Sequence, residues 1–131
     1  VNGLYRVAAV GSLIVGALFL AGAAGHSVAT WDRLIAPSDT RLTLLMPALV
    51  LAVGGAIDVS VVLGLWRERR WAMSLALVVN VASAAYFGWL LHARTDDHPF
   101  GLFLVTACAQ VVLLGVAGAG LTWPHPRSIR D

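Results

Sequence analysis

Asp58 is the side chain in this 131-residue sequence that most invites a chemical reading, because it is an acid set inside an apolar run. An ionised carboxylate in hydrocarbon costs several kcal/mol, roughly 2.5 to 3.5 even on insertion scales. It has to be protonated, paired or hydrated. No Arg or Lys interrupts the apolar runs, so the candidate partners are neutral: Asn80, Gln110, Ser60 and Ser83. A carboxyl among amides can bind and release a proton in a carrier or relay. It can equally clamp helices together through interhelical hydrogen bonds, each contributing about 0.6 kcal/mol on average. Asp58, Asn80 and Gln110 are therefore the candidate proton-binding or interhelical polar cluster.

Other chemistries find less support. His26, His92 and His98 fall near one predicted edge together with Asp96 and Asp97, and His125 near the other. Imidazole and carboxylate suit Zn or Cu, but the spacing matches no ligand motif, so no metal and no cofactor is expected. A haem between two histidines would have only His26 and His92 at a suitable depth, and both are shallow. Cys108 is the sole cysteine, which removes disulfides, thiol pairs and cysteine metal sites. Small multidrug exporters share the length and helix number but place an essential acid in the first helix, which has none here. Intramembrane proteases need a Ser-His or paired-Asp arrangement, and one Asp is not a pair. No catalytic set emerges.

The elements that must position the cluster are apolar helices. With 59% hydrophobic and 12% charged residues, the composition lies in the membrane class. Four runs reach the roughly 20 residues a bilayer requires, predicting helices over about 4–29, 42–66, 71–92 and 100–123 in a single domain spanning 1–131. The fold class expected is an all-α integral membrane bundle of four transmembrane helices. The first run is read as a retained helix and not a cleaved signal, because its apolar core is longer than a usual signal core. Pro47 sits one turn into the second helix, where a kink is tolerable. Pro37-Ser38-Asp39-Thr40 has turn chemistry, with Ser38 or Asp39 able to cap the second helix. Trp31 to Ile35 could form a short helix at the interface, and Pro124 and Pro126 stop the last span.

Small residues recur at a spacing of four: Ala17, Ala21 and Gly25, with Ser12 and Gly16, in the first helix; Ala48, Ala52, Ala56, Ser60 and Gly64 in the second; Ala72, Ala76, Asn80, Ala84 and Gly88 in the third. Such stripes let backbones approach where no water drives association. They predict that the second and third helices pack closely. Gly54 and Asp58 lie on another side of the second helix from that stripe, since two residues turn through about 200°. Asp58 is eight residues from Trp66 and Asn80 nine from Trp71, which places both roughly 12 to 14 Å from one edge, able to meet. Counted from Trp123, Gln110 lies roughly 6 to 8 Å deeper.

The second and third runs are joined by Trp66-Arg67-Glu68-Arg69-Arg70-Trp71, a hairpin turn rich in arginine. With both termini cytoplasmic, Arg6, Arg67, Arg69, Arg70, Arg127 and Arg130 are inside and Arg33, Arg41 and Arg94 outside, as the positive-inside rule asks. All five tryptophans fall at predicted helix ends. The basic residues form no nucleic-acid surface. The expected setting is a bacterial plasma membrane, crossed several times, with the lipid bilayer and other membrane subunits or further copies of the chain as partners. The leading expectation is a non-enzymatic accessory or assembly subunit of a larger membrane complex; the alternative is a small oligomeric proton-coupled transporter with Asp58 as the titrating carboxylate.

Overall fold

A computed structural model of the chain describes residues 2–31, 41–93 and 99–122. Its elements are α1 (Asn2–Ala29), α2 (Arg41–Ser60), α3 (Val62–Trp66), α4 (Arg70–Ala93) and α5 (Pro99–Thr122). Four stretches, Gly3–Ala29, Leu45–Trp66, Arg70–Ala93 and Phe100–Ala119, are long and apolar enough to cross a membrane, as a multi-pass membrane protein requires. The predicted turn at Pro37, the interfacial segment beyond Trp31, the loop holding His98 and the stop at Pro124 lie outside the described residues.

The second span is one helix interrupted once. The break falls at Val61 and not at Pro47, through which α2 runs on. Ser60 just before the break donates its hydroxyl to the Ala56 carbonyl at 2.7 Å, a back-bond of the kind that bends helices. Backbone bonds from Val61 N–H to Ile57 C=O (3.0 Å) and from Leu65 N–H to Val61 C=O (2.8 Å) carry the ladder through. α3 then closes on a Schellman motif: Arg69 N–H bonds Gly64 C=O at 2.8 Å and Glu68 N–H bonds Leu65 C=O at 3.0 Å. That motif needs a left-handed residue, and Glu68 supplies it at φ 57° where glycine is usual.

The four spans form a ring in the order α1, α2–α3, α4, α5, each touching the next and α5 returning to α1. The most extensive pairings are α1 with α2 and α4 with α5, while the hairpin helices expected to pack closely touch over a smaller area. At the α1–α2 crossing a Cβ on Gly16 would lie 3.0 Å from the Gly55 carbonyl oxygen, and one on Gly55 2.9 Å from that of Gly16. Near the hairpin turn, a Cβ on Gly64 would lie 2.6 Å from that of Ala72.

The interior has two halves. Towards the hairpin turn it is built of Ala8, Ala9, Ala72 and Ala76 with Val61, Leu65 and Leu114. Away from it, Phe19, Phe87, Phe100 and Phe103 interlock, with Phe19 edge-on to Phe87 at 6.1 Å and to Phe103 at 5.7 Å. A groove of about 360 Å³ opens between α2 and α4 in the aromatic half, lined by Met46, Leu49, Val53, Val79, Ala82 and Tyr86 among others. Large apolar side chains such as Ile14, Leu49, Val78, Val105 and Val112 point outward, a surface suited to lipid.

Candidate functional site

Between the alanine and aromatic halves lies a polar layer. Asp58, Asn80 and Ser12 are each 0% exposed there, brought together from three helices. α2 aims Asp58 inward because its buried line runs Leu51, Gly54 and Gly55, Asp58, Val61, Leu65, alternating steps of three and four. α4 does the same through Ala72, Ala76, Asn80, Ser83, Phe87 and Leu90. α1 presents Tyr5, Ala8, Ser12, Val15 and Phe19.

Asn80 Nδ2 donates to Asp58 Oδ1 at 2.7 Å and to the Ala76 carbonyl at 2.9 Å. Both amide hydrogens are thereby used, which sets the orientation of the amide. Ser12 Oγ donates to the same Asp58 Oδ1 at 3.2 Å. One carboxyl oxygen thus accepts two bonds, while Asp58 Oδ2 and Asn80 Oδ1 are buried without a hydrogen-bond partner. Two orphaned acceptors on side chains already joined by one bond lack only a donor.

The expected meeting of Asp58 and Asn80 is present, but Gln110 stands apart from it. Its Nε2 donates to the Ala8 carbonyl at 3.0 Å, and the inner face of Gly11 lies against its Oε1, where a side chain would collide. Ala8 is one turn nearer the hairpin end than Ser12, so Gln110 is not deeper than Asp58 as its count from Trp123 implied. Ala117 lies level with Tyr5 at the hairpin end, and it is from this level that the depth of Gln110 is counted. Ser60 is exposed and Ser83 bonds its own helix at the Val79 carbonyl, so neither reaches Asp58.

Ser12 is the partner the sequence reading missed. It lies six residues from Arg6, about 9 Å from the same edge as the hairpin turn, within a turn of the depth counted for Asp58. That depth was its signal. Among the described residues no cluster of three metal-ligating side chains forms, and His26 packs against Phe100 at 5.6 Å.

A second polar concavity, of about 340 Å³, lies at the hairpin turn and is lined by Ser60, Leu63, Gly64, Arg67, Arg69 and Trp71. Compared with known proteins, the chain matches no family model, no curated protein and no solved structure.

Proposed function

We propose that this chain is a non-enzymatic integral membrane protein of the bacterial plasma membrane, with both termini cytoplasmic, acting by docking as an accessory or assembly subunit of a larger membrane complex. The observation that carries this reading is the open groove between α2 and α4, with its almost wholly apolar walls. Below the groove, the Ser12–Asp58–Asn80 bonds tie its two walls and α1 together, so the docking face has a rigid floor. An apolar transmembrane helix of a partner, or of a second copy, fits such a face through small and flexible side chains such as Ala82 and Met46.

The test is the mass of the assembly released from native membranes in mild detergent, with every co-purifying chain identified. Stoichiometric partners are expected, and Ala82→Trp, which fills the groove from its exposed wall, should release them while the helical content persists. A chain that emerges alone refutes docking.

The proton-coupled carrier is kept as a second reading because of the orphaned Asp58 Oδ2 and Asn80 Oδ1. Asp58→Asn separates the two. Under docking the substitution preserves an interhelical hydrogen bond and leaves assembly intact. Under the carrier reading it removes the proton site, and pH-driven transport in vesicles disappears from a folded protein.

A further inference from the structure

The pocket at the hairpin turn differs from the groove above it in both chemistry and depth. Arg67 and Arg69 stand at its mouth, Trp71 forms one wall, and Leu63 and Ser60 continue it along the second span. Ser60 is six residues from Trp66, so the lining runs about 9 Å from the helix end into the apolar span. Its character changes along that length: guanidinium groups at the edge, a hydroxyl deeper, and the exposed Leu63 beside it. Ser60 has spent its hydrogen on the Ala56 carbonyl, which leaves its oxygen as an acceptor.

The surrounding charge favours an anion. Among the described residues at this end, Arg6, Arg67, Arg69 and Arg70 stand against Glu68, four positive to one negative. Glu68 does not line the pocket and lies within electrostatic reach of Tyr5 on α1. Arg6 is held over the Trp66 ring at 5.1 Å, which keeps a further positive charge by the turn. α4 begins at Arg70, and its first turn holds no acidic residue.

We infer that this pocket binds the phosphodiester of an anionic membrane lipid, with Arg67 and Arg69 holding the phosphate, Trp71 the glycerol region, and Leu63 the start of an acyl chain. Basic pockets between spanning helices at the cytoplasmic edge take such headgroups. Arginine suits this role because its fork matches phosphate oxygens two at a time. The inference goes beyond the docking reading and does not depend on it, since a lone subunit would bind the same lipid.

The experiment is native mass spectrometry of the full chain in detergent, titrated with phosphatidylglycerol, with phosphatidylcholine of the same acyl chains, and with inorganic phosphate. One phosphatidylglycerol should remain bound in preference to phosphatidylcholine, and Arg67→Gln/Arg69→Gln should weaken it roughly 30-fold, from about one charge-step per arginine. Arg33→Gln/Arg41→Gln, which removes the same charge elsewhere, should leave it unchanged. Ser60→Phe keeps both arginines and fills the pocket, so it should also weaken binding, and it carries the test if the double variant fails to fold. Equal retention of phosphatidylcholine would overturn charge recognition. Displacement by inorganic phosphate at matched concentration would overturn a lipid in favour of a free anion, and undiminished binding to Ser60→Phe would overturn the pocket.

Discussion

The α1–α2 crossing makes glycine substitutions diverge in sign. A Cβ on Gly55 would meet the Gly16 carbonyl oxygen at 2.9 Å, Leu20 Cγ at 2.9 Å and the Leu20 backbone nitrogen at 3.1 Å. Backbone atoms cannot rotate aside, so Gly55→Ala has to push two helices apart. Overpacking of this kind costs about 1 to 3 kcal/mol. Gly25 and Gly115 have nothing within 4 Å of the same position. There alanine meets no obstacle and recovers the roughly 0.5 to 1 kcal/mol that glycine forfeits within a helix. That gain applies at both positions, so the expected contrast between Gly55→Ala and Gly25→Ala is the overpacking cost itself, about 1 to 3 kcal/mol. Reversible unfolding in mixed detergent micelles, followed by circular dichroism, measures it. Equal stability of the two variants would refute the close crossing, and with it the placement of Ser12 against Asp58.

The remaining outcomes concern the polar layer, the turn and the outer surface. Asn80→Leu, which leaves Asp58 with Ser12 alone, should cost about 1 to 3 kcal/mol in the same unfolding assay, whereas Gln110→Leu should cost only about 0.6; the reverse order would mean that the Gln110–Ala8 bond, and not the Asp58 layer, organises the bundle. Glu68→Gly should raise stability by about 1 kcal/mol by relieving the left-handed backbone at the Schellman turn, and a loss instead would show that the Glu68 side chain holds the turn more strongly than its backbone strains it. Cys108 is exposed on α5, so a nitroxide attached there in reconstituted vesicles should be relaxed by oxygen and shielded from a water-soluble nickel chelate; the opposite preference would place this face of α5 in water.

How much of the site was legible follows from how each residue could be located. Asp58 and Asn80 were found from the sequence because both are counted from the same short turn, where an error of a residue moves the level by about 1.5 Å. Gln110 was counted from the far end of a different helix, whose register against the turn no local signal fixes. Ser12 has the same difficulty in reverse. Serine is ordinary in apolar helices, and only the bond to Asp58 distinguishes it from the exposed Ser60.

The small-residue stripes show a subtler limit. A step of four residues turns a helix through about 400°, so a strict stripe drifts by about 40° at each step. Ala48 is accordingly buried, Ala52 half-buried, and Ala56 and Ser60 exposed. In α1, Ser12 and Gly16 face the interior while Ala17, Ala21 and Gly25 face out. The lines that are buried mix steps of three and four, which cancels the drift. The hydrophobic pattern could not reveal them, because outward and inward positions are both apolar.

Composition and run length alone determined the helical class, the number of spans and the position of the arginine turn, because a bilayer demands some 20 apolar residues and internally bonded backbone. Which faces meet was left to tertiary structure. The crossing at Gly16 and Gly55, the segregation of alanines from phenylalanines and the joining of Ser12, Asp58 and Asn80 all depend on the rotation of each helix about its axis. In a chain apolar on every side, that rotation is set by shape and by a few polar bonds, and neither is written in the hydropathy of any one helix.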